Sequence, residues 1–194
     1  VRIPDKIYVH CIDQGASLSY GELHALANRM AHFFRDAGLK ANDRILMLAE
    51  NSVEFIATFV GTLSHGATIS TANVEMNRAH IQEIVRAIAP KIVLYQEGLE
   101  LESLRQDGAP ENWMALGEWG KDQGGPSFFG ALANCSDSDD VPPVGGPDDV
   151  GVIFYTSGTE AKPKGVMETH KAVWHNFDAS ADCIGLQQND RMLD

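Results

Sequence analysis

Between Ser19 and Tyr95 the hydrophobic pattern switches repeatedly between helical and strand periods, and this alternation limits the fold more than any other feature. Ser19-Tyr20-Gly21-Glu22 has the S-x-x-E spacing of a capping box. Leu23, Leu26, Ala27, Met30, Phe33, Phe34 and Ala37 then recur at helical intervals up to Gly38. Arg44 to Ala49 is a short, nearly continuous apolar run, as a strand covered on both faces requires. After Asn51 and Ser52, either of which can cap, Val53, Phe55, Ile56, Phe59, Val60 and Leu63 predict a second helix closed by Gly66. Ala67 to Ser70 reads as a strand. Asn77 caps a third helix carrying Ile81, Ile84, Val85 and Ile88, stopped by Pro90, and Lys91 to Tyr95 is the next strand. Strands alternating with helices across short connections wind a parallel sheet through right-handed crossovers. The expected class is α/β, with a mostly parallel, doubly wound sheet flanked by helices.

Farther along the pattern thins. Trp113 to Leu116 reads as a strand and Ser127 to Ala133 as a short helix, while Asn134 to Asp149, rich in Asp, Ser, Pro and Gly, reads as a surface loop or linker. Val150 to Tyr155 is a buried strand leading into Thr156 to Gly165, and Thr169 to Gly185 has helical length and spacing.

Composition removes several classes of function. With 194 residues, 44% hydrophobic and 22% charged, the chain is expected to fold rather than remain disordered. Its longest apolar stretch, Phe55 to Leu63, is broken by Thr and Gly and falls well short of the roughly 20 residues of a membrane span. Fifteen Lys and Arg face 27 Asp and Glu, a formal charge of −12, so nucleic acid is a poor partner for a surface this acidic. Cys11, Cys135 and Cys183 are too few and too dispersed for a disulfide framework, and Val1 to His10 lack the apolar core of a secretory signal, so a cytoplasmic setting is expected. A start at Val1 rather than Met points to a processed or excised boundary.

Metal sites are not expected. His170 and His175 stand five apart, on different faces of a helix. Around Asp137, Asp139 and Asp140 a calcium loop would need Gly where Pro142 stands and Glu where Asp148 stands, so this cluster reads as a solvated loop. Trp113, Trp119, Trp174 and the Phe59 stripe are expected to pack in or against the core.

Tyr155-Thr156-Ser157-Gly158-Thr159-Glu160-Ala161-Lys162-Pro163-Lys164-Gly165-Val166 carries the chemistry. In a parallel sheet, ligands bind outside the carboxyl ends of the strands, where this segment begins. Gly158 permits close backbone approach, and the hydroxyls of Thr156, Ser157 and Thr159 with nearby amides can donate to phosphoryl oxygens. Lys162 and Lys164 add positive charge, and Pro163 restrains the backbone between them. The spacing is not a Walker A loop: Pro163 stands where its second Gly belongs, and Lys164-Gly165 reverses the Gly-Lys order.

The segment resembles the phosphate loop of the AMP-forming adenylate-forming superfamily, which includes acyl-CoA synthetases, nonribosomal peptide adenylation domains and luciferases. Its usual form is Y-T-S-G-[ST]-T-G-x-P-K-G-V followed by a histidine. The likeness extends through the helix at Gly21 to Ala37, the segment Asp43 to Ser70 and Ile88-Ala89-Pro90. It departs at Glu160-Ala161, where the family has Thr-Gly, a form similar to that of fatty-acyl and related acyl-CoA ligases rather than peptide synthetases.

The resemblance implies that residues 1 to 194 form the N-terminal portion of an AMP-binding domain. Thr156, Ser157, Gly158, Thr159, Lys162 and Lys164 would hold the β- and γ-phosphates of ATP, and Gly165 would let the chain turn away. His170 matches the family histidine and becomes a candidate for the acyl pocket. The implied reaction joins a carboxylic acid, fatty or other acyl, to AMP and passes the acyl group to CoA, with Mg2+ on the phosphates. The catalytic lysine, acidic motif and C-terminal subdomain are expected beyond Asp194, so this chain is expected to be inactive alone. Its partners would then be the remainder of the same enzyme or another copy. Two alternatives stay open: a CoA ligase accepting a preformed acyl-adenylate with impaired adenylation, or a non-catalytic nucleotide- or partner-binding module.

Overall fold

The computed structural model describes residues 3–102, 104–105, 110–121, 125–156, 163–187 and 190. It opens with an antiparallel hairpin of β1 (Ile7–Cys11) and β2 (Ala16–Ser19), which the hydrophobic pattern did not announce. The capping box forms as spaced: in α1 (Tyr20–Asp36) Ser19 Oγ accepts from the Glu22 N–H, and the Glu22 carboxylate accepts from the Ser19 N–H. Next come β3 (Arg44–Leu48) and α2 (Val53–His65), whose cap is Ser52. Gly66 ends α2 at φ 79°, a left-handed conformation that favours glycine. β4 (Thr68–Ala72), α3 (Arg78–Ile88), β5 (Ile92–Tyr95), β6 (Trp113–Ala115) and α4 (Phe128–Leu132) follow. The described chain finishes with β7 (Val150–Thr156), β8 (Lys164–Thr169) and α5 (His170–Ile184).

Six strands make one sheet in the order β6-β5-β3-β4-β7-β8. All its pairings are parallel except β7 with β8. Period-two alternation in β3 explains its apolar sequence. Ile45 and Met47 pack with Met30 and Phe34 of α1 and Phe128 of α4, while Leu46 and Leu48 pack with Ile81, Ile84 and Val85 of α3. Both faces of the sheet are therefore covered at β3. The strand after β3 lies to one side of it and the strand after β4 lies to the other, which makes the sheet doubly wound with its reversal between β3 and β4.

Residues 134–149 form a surface loop with no regular element, but it is not a free linker. Asn28 Nδ2 donates to the Asp137 carbonyl at 2.9 Å, His32 Nε2 lies 3.1 Å from the Ser138 carbonyl, and the Val144 N–H donates to the His65 carbonyl at 2.8 Å. Trp174 corrects another expectation. Trp113 is buried and Trp119 packs on the core, but Trp174 is 69% exposed, on a helix that buries only Val173.

Candidate functional site

The site lies at the carboxyl edge of β4 and β7. Thr68 Oγ1 donates to the Val150 carbonyl at 2.6 Å, and the fully buried Ser70 Oγ donates to the Ile153 carbonyl at 2.9 Å. These hydroxyls lock β7 against β4 in addition to the ladder, and each satisfies its own buried oxygen. Asn42, at φ 61°, fixes the start of β7: its Nδ2 donates to Asp149 Oδ1 at 2.7 Å, and its Oδ1 accepts from the Val150 N–H at 3.0 Å. The Gly146 N–H and the Asn42 amide hold the Asp149 carboxyl below its ordinary value. None of these three positioning residues was singled out from sequence, although hydroxyls inside an apolar strand were a usable signal.

From that anchor β7 runs to Thr156, where its pairing with β8 ends at Thr156 opposite Lys164. The segment expected to be a loop from Thr156 to Gly165 is therefore shorter, because strand is already present at Thr156 and again at Lys164. Ser157, Gly158, Thr159, Lys162 and the Glu160-Ala161 departure lie outside the described residues, as does the side chain of Thr156. Lys164 is exposed beside this end of the ribbon.

Gly165 is not at a turn. It sits within β8 opposite Tyr155, where an added Cβ would come 3.2 Å from Ile153 Cγ2 and 3.3 Å from Tyr155 Cζ. The Tyr155 ring thus crosses the space a side chain would fill. Burial pushes the Tyr155 phenol above its ordinary value.

His170 is placed elsewhere. It begins α5, its N–H donates to the Asp149 carbonyl at 3.0 Å, and its ring lies on Gly151, where an added Cβ would be 3.0 Å from Nδ1. Gly151 is at the start of β7 and Thr156 at its end, roughly 17 Å apart at about 3.3 Å per residue. His170 thus lies at the opposite end of β7 from Thr156. Its Nε2 is buried with no hydrogen-bond partner among the described residues.

Next to the end of β7 is a crevice of about 420 Å³, lined by Ala49, Glu50, Asn51, Phe55, Thr71, Ala72, Asn73 and Glu75. It opens where the winding reverses, outside the carboxyl ends of β3 and β4, the place where sheets of this kind bind ligands. Thr71 pairs with Phe154, so the crevice and the phosphate segment share one edge of the sheet. Sequence reading had found the segment but not the crevice. Its signal was available in the residues just after each strand, Glu50-Asn51 and Asn73.

Among the described residues no group of three or more His, Cys, Asp or Glu is placed to hold a metal ion. A profile described as "AMP-binding enzyme" matches residues 2–194. The chain belongs to the AMP-binding enzyme family. Among the relatives of this AMP-binding chain, a long-chain-fatty-acid–CoA ligase of Mycobacterium tuberculosis is 29% identical over 178 residues, covering 91% of the chain and 34% of the relative. Surfactin synthase subunit 1 of Bacillus subtilis is 28% identical over 182 residues, covering 91% of the chain but 5% of that protein. The inhibitor-bound N-terminal domain of FACL13 from Mycobacterium tuberculosis superposes with a TM-score of 0.82 at 26% identity, covering 98% of this chain and 47% of that one. The AMP-binding chain therefore spans about a third of the length of the first relative and under half of a solved N-terminal domain.

Proposed function

We propose that this chain is the ATP-phosphate-binding segment of an AMP-forming acid–thiol ligase. The supporting observation is the position of β7: the strand from which this lysine-, hydroxyl- and glycine-bearing segment continues in sequence ends at the carboxyl edge of the sheet next to β4, whose own end lines the switch-point crevice. In this reading Thr156, Ser157, Gly158, Thr159, Lys162 and Lys164 hold the β- and γ-phosphates. Gly165 contributes by admitting the Tyr155 ring, which stiffens the ribbon that carries Lys164.

ATP supplies an activated α-phosphorus and a pyrophosphate leaving group. A carboxylate oxygen of the acid attacks that phosphorus, the bond to pyrophosphate breaks, and an acyl-adenylate results. The thiol of CoA then displaces AMP to give the thioester. Catalysis of the first step is positioning plus neutralisation of charge building on the departing pyrophosphate, and the two lysines meet that need. Mg2+ would be supplied on the triphosphate, where it would neutralise phosphate charge, and the hydroxyls of Thr156, Ser157 and Thr159 are the protein oxygens that would hold it.

Recognition of adenine, the acid and CoA falls to polypeptide outside this segment, as does the catalytic lysine. The relatives' names support a carboxylic acid as substrate, and a long-chain acid is one of those named. A cytoplasmic setting, where ATP and CoA are available, belongs to the same reading. Among the described residues no helix is long and apolar enough to cross a membrane.

The test is titration of ATP into the chain, together with pyrophosphate exchange. The chain is expected to bind ATP, the Lys162→Ala, Lys164→Ala double variant to bind it at least about tenfold more weakly, and the chain alone to give no exchange with ATP and a fatty acid. Binding insensitive to both lysines would overturn the phosphate assignment, and brisk exchange by the 194 residues would overturn the division of labour. A second reading, ligation of CoA to a preformed acyl-adenylate, is favoured by Glu160, which sets a negative charge beside the triphosphate. Restoring Thr-Gly at 160 and 161 should then tighten ATP binding.

A further inference from the structure

Two glycines of the β7–β8 ribbon are each covered by a ring from across the pairing. At the far end Gly165 of β8 takes the Tyr155 ring, and at the near end Gly151 of β7 takes the ring of His170, the residue that follows β8. A Cβ on Gly151 would stand 3.0 Å from His170 Nδ1 and 3.2 Å from its Cγ. Neither glycine has a positive φ, so each serves by leaving room for a ring and not by backbone freedom. Gly151 is also where the two strands fall out of step. Val150 pairs with Thr169 and Val152 with Glu168, so two steps along β7 match one along β8 and Gly151 is the extra residue of a bulge. A bulge bends its strand and increases the local twist, which sets the direction in which the rest of the strand leaves. Pairing with β4 does not set that direction at the tip, because it runs only from Val152 to Phe154, and among the described residues Tyr155 and Thr156 pair with β8 alone. His170 is itself held in place: its N–H donates to the Asp149 carbonyl at 3.0 Å, and the Lys171 N–H donates to the Pro147 carbonyl at 2.8 Å.

We propose that His170 is a positioning residue for the phosphate segment: its ring, laid on the bulged Gly151, sets the twist with which the β7–β8 ribbon leaves the sheet, and thereby the place of Lys164 opposite Thr156. His170 acts through the backbone of β7, from the other end of the strand. What it contributes is the shape of a flat ring that fills the bulge, not a proton or a ligand nitrogen. The consequence for ATP rests on the phosphate reading, whereas the consequence for the ribbon stands on the bulge and the ring alone.

The experiment measures hydrogen exchange and ATP titration on the 194-residue chain and its variants. His170→Ala, which uncovers the bulge, is expected to speed exchange of the Tyr155, Gly165 and Val166 amides about tenfold and to weaken ATP binding about tenfold. His170→Phe, which keeps a ring on Gly151 without the nitrogens, should return both to wild-type values. Gly151→Ala should speed the exchange and weaken binding in the wild-type background, where its Cβ meets the ring, and add nothing in the His170→Ala background. Should His170→Ala not fold, His170→Phe and Gly151→Ala decide by the same two readouts. The proposal is overturned if His170→Phe behaves like His170→Ala, which would make a ring nitrogen the active part. It is equally overturned if faster exchange is confined to Val150 to Val152, or if the tip is unchanged in both His170→Ala and Gly151→Ala. A wild-type chain that binds no ATP would remove the phosphate reading alone, and exchange at the tip would still decide for or against His170.

Discussion

Helices α2 and α5 begin and end in the same way. Ser52 Oγ accepts from the Phe55 N–H and Thr169 Oγ1 from the Ala172 N–H; Gly66 and Gly185 close the helices at φ 79° and 66°. Yet α2 buries seven residues, from Val53 to His65, and α5 buries only Val173. A cap is an exchange of hydrogen bonds within about four residues, so each helix can complete it alone. Burial depends on what arrives from elsewhere. For α2 that is α1, β4 and the loop carrying Val144 and Gly145; for α5, among the described residues, it is chiefly the β7–β8 ribbon, with Pro147 and Asp149 at its first turn. The same local grammar thus serves a packed helix and an exposed one.

The largest expected contrast is between aromatic truncations. Phe34 is fully buried and its ring stacks on that of Phe128 with centroids 5.8 Å apart. Phe34→Ala should cost about 3 to 5 kcal/mol in urea unfolding. Trp174→Ala should cost less than about 0.5 kcal/mol. Equal costs would mean that α5 is covered in solution and would dissolve the comparison.

A smaller difference is expected between the glycine caps. A Cβ on Gly66 would stand 2.7 Å from the Gly145 backbone nitrogen, whereas one on Gly185 would meet nothing within 4 Å. Gly185→Ala bears only the left-handed penalty, about 1 kcal/mol, and Gly66→Ala adds a backbone clash for about 3 kcal/mol in all. Thermal unfolding of the two variants separates these contributions.

The smallest effect concerns His65, the last residue of α2. Its ring is buried beside Phe34, both ring nitrogens lack partners among the described residues, and burial pushes its pKa below the ordinary 6.5. The sign follows from proton binding: below about pH 6.5 the unfolded chain takes up a proton that the folded chain refuses, so stability falls as pH is lowered through that value. His65→Phe should remove this part of the slope between about pH 7.5 and 5.5, read as melting temperature against pH. Asp140 and Asp149 act lower. Their carboxyls are held below the ordinary 3.8, chiefly by hydrogen bonds from Ser138 Oγ and the Gly146 N–H, so their contribution is lost only as pH falls below that region. A slope that persists in His65→Phe would show that the α2 core has no part in it.

Much of this molecule was legible before folding. The capping box at Ser19 and Glu22 and the stop at Gly66 appear where spacing placed them, because each is set by contacts within a few residues, and the apolar run Arg44 to Ala49 becomes the strand Arg44–Leu48. The β1–β2 hairpin was not legible, since its strands are short and only Leu18 among their residues is fully buried, so they carry little hydrophobic alternation. β8 was not legible either. Its first residues, Lys164 and Gly165, read as the tail of a ligand loop, and only pairing with β7 makes them strand. Within the candidate site, residue types and order pointed to phosphate chemistry, but the crevice at Glu50, Asn51 and Asn73 required two strand ends to meet.

By itself, then, the amino-acid order determined the periods, the caps, the α/β class and the phosphate-type segment, all of which depend on neighbours along the chain. The tertiary structure alone decided the strand order, the separation of His170 from Thr156, the conversion of Gly165 from a turn residue into a seat for Tyr155, and the exposure of Trp174. Those outcomes depend on contacts such as Asn42 with Asp149, separated by 107 positions. Such a contact involves closing a long loop, and no short-range pattern records which distant partner will be there when it closes.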